Sequence, residues 1–160
     1  NKHSIFTQKL AEQGDLFQYK DMTIVKQLDI LSLLEKDLLT INIHSNLGDL
    51  IKLIKKSKRN IFIVTDDNEN FIGIILLDEV RNDMFNQSKY NDPISNFLYS
   101  PLSDEKVSID TDARDILNKF NKTSNYNMVV LDGTKYVGII SRANILKEYR
   151  ENMIADIDEI

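Results

Sequence analysis

Tyr136-Val137-Gly138-Ile139-Ile140-Ser141-Arg142-Ala143-Asn144-Ile145-Leu146 reads as a short apolar strand that passes through a glycine, meets a serine and turns into a helix. A near-copy lies upstream: Phe71-Ile72-Gly73-Ile74-Ile75-Leu76-Leu77-Asp78-Glu79-Val80-Arg81. The apolar residues and the glycine recur, whereas the polar ones do not. Leu76 stands where the second copy has Ser141, and Glu79 where it has Asn144.

Working outward, the duplication extends over both flanks. In the first copy a strand over 38–41 precedes a helix over 47–57 capped by Ser45 or Asn46, with Leu47, Leu50, Ile51 and Ile54 on one face. A buried-type strand over 60–65, a turn over 66–70, the strand 71–77 and a helix over 78–86 complete it. The second copy has a strand over 106–109, a helix over 112–122 capped by Thr111, a strand over 126–131, a turn over 132–134, a strand over 136–140 and a helix from Arg142 past Met153. Leu50 matches Ile116, Phe62 matches Met128, Val64 matches Val130 and Gly73 matches Gly138, the second turn being one residue shorter. The expected fold class is therefore α/β (α+β), with two repeats of strand–helix–strand–strand–helix in pseudo-twofold packing. One such unit cannot cover both faces of its small sheet, whereas two packed sheet to sheet can.

The chain has 160 residues, enough for one ordinary domain or two small ones without staples. Hydrophobic residues make up 42% and charged residues 28%, the balance of a globular chain. The net charge of −5 argues against a nucleic-acid partner. With no cysteine there is no disulfide framework, thiolate zinc site or cysteine nucleophile. No apolar run approaches the roughly 20 residues of a membrane span. The start at Asn1 rather than Met reads as a piece of a longer protein. The expected division is a linker with a short helix over 1–37 (helix 5–13, a short strand at 23–25, an apolar segment 28–34), a first repeat over 38–92 and a second over 93–160.

The order of elements, the repeat spacing and the ending of glycine, two apolar residues, Ser/Thr, two residues, then Asp/Asn resemble a tandem pair of CBS domains, the Bateman module. The resemblance covers residues 38–153. A shorter stretch, Lys2-His3-Ser4-Ile5-Phe6-Thr7-Gln8-Lys9-Leu10-Ala11-Glu12-Gln13-Gly14, looks like the cytosolic segment after the last membrane helix of bacterial chloride channels of the CLC type. That likeness implies the cytosolic tail of a chloride channel or chloride/proton antiporter, on the cytoplasmic side of the cell membrane and joined to a membrane-embedded domain. The alternatives are the regulatory module of a magnesium transporter or of a nucleotide-metabolism enzyme, or a stand-alone pair.

The family likeness implies an adenine nucleotide (ATP, ADP or AMP) in a cleft between the repeats. The Ser/Thr and the acid three positions later face that cleft, and the acid accepts from ribose hydroxyls. Here those residues are Ser141 and Asn144; an amide oxygen still accepts, without the charge that strengthens the bond. The same residue types also cap helices well, and that reading stands beside the nucleotide one. The opposite wall would come from Thr40 and Ile41 and from Arg59, Asn60 and Ile61, with Arg59 in reach of a phosphate. The plainer reading of Lys55, Lys56, Lys58 and Arg59 is a set of cations at a helix C-terminus, where they suit the macrodipole. The second cleft, with Leu76, Glu79, Val107 and Tyr126, is expected not to bind nucleotide, because Leu76 removes a hydroxyl and fills space. A second reading is a homodimerisation scaffold with decayed clefts, using Val80, Met84, Ile145, Leu146 and Tyr149.

The remaining patterns point to no chemistry. Asp66-x-Asn68-x-Asn70 begins like a calcium loop, but Phe71 replaces the sixth-position glycine and Leu77 the twelfth-position glutamate, so a hairpin turn is expected. His3 and His44 lack a partner histidine at metal-ligand spacing. No glycine-rich phosphate loop and no Ser-His-acid set is present, so no enzyme is expected. Tyr90, Phe97, Leu98 and Tyr99 in the connection read as core or interface rather than a base-stacking platform.

Overall fold

The structure, a computed structural model, describes residues 28–158. The expected helix at 5–13 and strand at 23–25 lie outside the described residues. A short helix α1 (Ile30–Leu33) leads into the first half: β1 (Thr40–Asn42), α2 (Leu47–Ile54), β2 (Ile61–Thr65), β3 (Phe71–Leu76) and α3 (Leu77–Val80). After three single-turn 3₁₀ segments, the second half repeats the order: β4 (Lys106–Ser108), α4 (Ala113–Thr123), β5 (Asn127–Asp132), β6 (Lys135–Ser141) and α5 (Arg142–Asp158).

Each half is a three-stranded sheet in the order first, second, third, with a parallel first pair and an antiparallel second pair. The two sheets carry the same irregularity, between Val64 and Thr65 in one and between Val130 and Leu131 in the other. A bulge at that point lets the third strand put Phe71 or Tyr136 on one face of the sheet while Gly73 or Gly138 keeps its ladder position.

The central strands are apolar over Ile61–Val64 and Met128–Leu131 because both their faces are covered there. Phe62, Val64 and Ile75 pack with Leu47, Leu50, Ile51 and Val80 in the first half; Met128, Val130 and Ile140 pack with Ile116, Leu117, Phe120 and Ile145 in the second. The opposite faces meet each other through Leu38, Ile63, Val129 and Ile139, joined by the half-buried Ile61, Phe71, Ile74, Leu131 and Tyr136. The result is four layers, helices–sheet–sheet–helices, as the duplication requires.

The helix starts carry their own signals. The Asn46 side chain accepts from the Asp49 amide at 2.9 Å, and Asp49 accepts from the Asn46 amide at 3.1 Å, a reciprocal capping box. In the second half Asp112, one residue beyond the expected Thr111, is the cap and accepts from the Asp115 amide at 2.9 Å. Thr111 instead accepts from the Ser108 amide through its hydroxyl. The helix expected over 78–86 is a single α-turn, Leu77–Val80. Asn82 and Asp83 are weak helix formers, and the amides of Asp83 and Met84 both close turns on the Val80 carbonyl. Val80, Ile145 and Tyr149, expected at a subunit interface, are buried in the cores of their own halves, and Met84 and Leu146 pack partly against those cores.

The two halves exchange their leading segments. Leu28, Ile30, Leu33 and Leu34, which precede the first half, pack into the core of the second. Ile94, Phe97 and Leu98, which precede the second half, pack into the core of the first. Each exchange ends in a one-residue antiparallel bridge at a sheet edge: Glu35 with Ile139, through bonds of 2.8 and 3.0 Å, and Tyr99 with Ile74, through two of 2.8 Å. This explains the repeated glycine. A Cβ on Gly73 would stand 2.5 Å from the Tyr99 carbonyl oxygen, and one on Gly138 3.0 Å from that of Glu35. The bare α-carbon lets the crossing strand approach.

Candidate ligand clefts between the two halves

The hairpin turns of the two halves meet at one end of the sheet seam. Phe71 donates its amide to the Thr134 carbonyl at 2.8 Å, and the Thr134 hydroxyl donates to the Asn70 side chain at 2.6 Å. Lys135 Nζ donates to the Asn68 carbonyl. Asp66 is spent inside its own turn, as the sequence requires. It accepts from the amides of Asn70 and Asn68 and from the Asn70 side chain, and these bonds, those of Asn70 foremost, hold its carboxyl below the usual range. No group of three or more metal-type side chains gathers among the described residues.

Beside the exchanged Tyr99 segment the seam opens into a cleft. At the cleft of Leu76, an open cavity of about 280 Å³ lies between the sheets. One wall is Ile61, Ile74 and Leu76 from the first sheet; the other is Asn127, Met128, Val129 and Ile139 from the second. Tyr99, Pro101, Glu105 and Asn125 complete the rim. Leu76 thus lines the space and leaves it open, contrary to the expectation that it fills it. Val107 is buried in the second core and Glu79 is exposed on α3, so neither belongs to the cavity wall; Tyr126 is 78% exposed, beside the rim residues Asn125 and Asn127.

The rim is a connected polar set. The Tyr99 hydroxyl donates to Glu105 Oε1 at 2.6 Å, and the Leu102 amide donates to the same oxygen at 3.0 Å. The Tyr99 bond, then that amide, with a smaller contribution from Asn125, hold the Glu105 carboxyl below its ordinary range. The same bond pushes the Tyr99 phenol up. At neutral pH the rim therefore carries one fixed anion beside a neutral phenol.

The pseudo-twofold places the other cleft around Ser141, and it is differently occupied. Arg59, equivalent to Asn125, is held by the segment that leads into β1: its Nη1 donates to Asp37 at 2.9 and 3.1 Å and to Glu35 at 3.4 Å. Burial works against the guanidinium charge, but the bonds and charge of Asp37 and Glu35 outweigh it and raise the pKa. The Tyr136 hydroxyl is buried without a hydrogen-bond partner, as is Glu35 Oε2. Burial first, then the charges of Asp37 and Glu35, push the Tyr136 phenol up to about 12.

The other residues expected at this cleft are scattered in role. Ser141 Oγ accepts from the Asn144 amide at 3.1 Å, the geometry of a helix cap for α5. Thr40 is exposed on β1, and Ile41 turns its side chain into the first core. The Asn60 carbonyl accepts from the Leu77 amide at 2.9 Å, and Ile61 lines the cavity of the opposite cleft. Tyr99, Glu105, Asn125 and Asn127 were not singled out by the sequence as cleft residues. Tyr90, Phe97 and Leu98 pack on the first core as expected, whereas Tyr99 is 44% exposed and lines the cavity. The only sequence signal for it is the glycine whose missing side chain makes room for its backbone.

The family model for the CBS domain matches residues 25–85 and 102–151, which is more than half of the chain, and the chain belongs to that family as a tandem pair. Among solved structures it is similar to the CBS domain of a bacterial CNNM/CorC family Mg²⁺ transporter in complex with ATP, at 11% identity and TM-score 0.65 over 88% of this chain and 97% of that one. It is also similar to CbpB from Streptococcus agalactiae, at 16% identity and TM-score 0.63 over 94% and 92% of the two chains. A structure of CbpB in complex with c-di-AMP gives 14% identity and TM-score 0.66 over 96% and 99%. At these identities the likeness carries the fold. No curated protein matches the chain.

Proposed function

We propose that this chain is a regulatory CBS pair that senses an adenine nucleotide between its two halves and passes the change to a membrane transport protein. The observation that carries the reading is the cavity of about 280 Å³ between the two sheets. Its apolar walls (Ile61, Ile74, Val129, Ile139) suit the two faces of a flat base, and Asn125 and Asn127 on the same lining supply polar groups for its edge. ATP and c-di-AMP in two similar structures add support for ligands of this chemistry.

The cleft of Ser141 is a second reading, favoured by Arg59. There Ser141 and Asn144 would meet the ribose, Thr40 and the backbone of Ile41 and Asn60 the base edge, and Arg59 a phosphate, while the Ile61 side chain stays with the opposite cleft. In that reading the ligand must draw Arg59 from Asp37 and Glu35. Binding at either cleft regulates only by favouring one arrangement of the halves over another.

The likeness of Lys2–Gly14 to the chloride-channel segment supports a chloride channel or antiporter as the parent, with this module on its cytoplasmic side; a magnesium transporter is the alternative, supported by the similar CNNM/CorC structure. Homodimerisation completes the proposal, with Phe85, 84% exposed in the turns that follow α3, as an apolar contact. A thermal-shift series with ATP, ADP and AMP tests the ligand: at 100 times Kd a ligand adds about 2.7 kcal/mol, several degrees for a domain of this size. No shift at millimolar concentration overturns it. Sedimentation showing a monomer at high micromolar concentration overturns the dimer.

A further inference from the structure

We infer that the outer face of α2 is a docking surface for a membrane that carries anionic lipid, with Lys52, Lys55, Lys56 and Lys58 as its contacts. The inference rests on the proposed place of the module beside a membrane and names the face that turns to the lipid. Residues 52–59 hold five of the chain's 20 lysines and arginines and no acid, although the chain as a whole carries −5. Arg59 is spent on Asp37 and Glu35. The four lysines are exposed, and none of their side chains has an ion-pair partner among the described residues.

Their spacing makes one stripe. Lys52, Lys55 and Lys56 stand at i, i+3 and i+4, which share a helix face, and Lys58 extends the line past the helix end. The stripe borders an open groove of about 400 Å³ between α2 and the connection at 87–91. Lys52 and Lys55 line it together with the side-chain amides of Asn46, Gln87 and Asn91. Ammonium and amide groups both donate to phosphate oxygens, so the groove suits a phospholipid headgroup. Asp49, the acid on that lining, is turned into the capping box, where it accepts from the Asn46 amide at 3.1 Å.

The fold does not require these lysines. At the equivalent positions the second half has Asn118, Asn121, Lys122 and Ser124, and Lys122 pairs with Asp104 at 3.3 Å. A helix C-terminus favours cations within its last turn, which leaves Lys58 without that reason. An anionic membrane surface favours all four at once, by about fivefold in affinity per lysine. At physiological salt, charges beyond about 8 Å are screened, so the stripe governs the approach rather than the net charge. Leu53 and Ile54, between the lysines, pack toward the first core. The stripe thus offers charge without an apolar anchor, which suits a headgroup layer better than a protein partner.

The test is flotation of the full chain with vesicles of phosphatidylcholine alone and of phosphatidylcholine mixed with phosphatidylglycerol. Binding is expected to the mixed vesicles only, and its loss is expected at about 1 M salt, where the screening length falls to about 3 Å. Lys55→Glu/Lys56→Glu is expected to weaken binding about tenfold or more. Arg114→Glu/Lys147→Glu changes the net charge equally at two exposed positions of the second half, and is expected to leave binding within about twofold. Should the first variant melt early, Lys55→Gln/Lys56→Gln makes the same test without new charge at the helix end, with a loss of about fivefold or more. Equal losses in the two halves, no binding to mixed vesicles, or capture by immobilised polyglutamate but not by vesicles each overturns the inference. Fractionation of the native protein with the membrane checks the parent reading by itself, so that reading can hold while the inference fails.

Discussion

Where Arg59 stands at one cleft, Asn125 stands at the other, and where Glu35 bridges one sheet edge, Tyr99 bridges the other. The backbones follow one plan: the same strand order, the same bulge, the same crossing segment against the same glycine. The side chains do not. An acidic crossing strand clasps an arginine on the Ser141 side; a tyrosine and a glutamate leave an open, arginine-free slot on the Leu76 side. Duplication fixes a scaffold through its apolar positions, whereas the polar positions are free to diverge because they sit at the rim. Two clefts in one module thereby acquire different chemistry without cost to the shared core.

The largest effect is expected where the crossing strands touch the glycines. A Cβ at Gly73 lies within 2.5 Å of backbone oxygen and 2.8 Å of Leu98 Cδ1, so relief requires the Tyr99 strand to move. Gly73→Ala should cost about 3 kcal/mol in urea unfolding and abolish ligand binding at the open cavity. At Gly138 the nearest contact is 3.0 Å, and Gly138→Ala should cost about 1 kcal/mol. Equal costs would break the account of the two seams as differently tight.

A second test is pH. The Tyr136 phenol ionises near 10.0 in the unfolded chain and is pushed up to about 12 in the folded one. The unfolded state loses its proton first, so stability is intact below pH 10 and falls as pH rises from 10 toward 12. Allowing for partial solvent screening, the fall is roughly 1–2 kcal/mol. Tyr136→Phe should remove that component and cost little at pH 7, since the hydroxyl has no partner. Phe71, its counterpart in the first half, carries no such group. A pH profile unchanged in Y136F would show that another group controls the alkaline limb.

The smallest effect concerns the clasp. Asp37 is 60% exposed, so an Arg59→Ala/Asp37→Ala double-mutant cycle should return about 0.5–1 kcal/mol of coupling. Releasing the clasp alone, with Asp37→Asn, should strengthen AMP or ATP binding if the Ser141 cleft is used. An unchanged affinity would mean that the clasp is structural.

Much of the architecture was legible in the residues. The paired strand–glycine–strand stretches and the matched Leu50/Ile116 and Phe62/Met128 positions led directly to two sheets packed face to face. Boundaries shifted by a residue or two, as at Thr111 and Asp112, because the Thr111 hydroxyl is taken by the Ser108 amide and leaves the Asp115 amide to Asp112. The last helix of the first half was read too long, since the apolar Met84 and Phe85 imitate helical spacing while the backbone closes turns on Val80. The candidate site was less legible. Ser141 and Asn144 were identified by type, yet their observed contact is a cap, and Ile61 lines the opposite cleft from the one expected. Glu105 and Tyr99 lie in a connection with no repeat to flag them.

The sequence by itself determined the duplication, the layers and the buried faces, because apolar periodicity is a local signal and burial follows it. Only the tertiary structure decided that each half lends its leading segment to the other. A one-residue bridge leaves no periodic trace, and the reason for Gly73 and Gly138 is a backbone arriving from elsewhere in the chain. It also decided how the rim of the Ser141 cleft is clasped. That depends on whether a distant carboxylate can reach an arginine across the seam, a matter of distance that the order of residues does not encode.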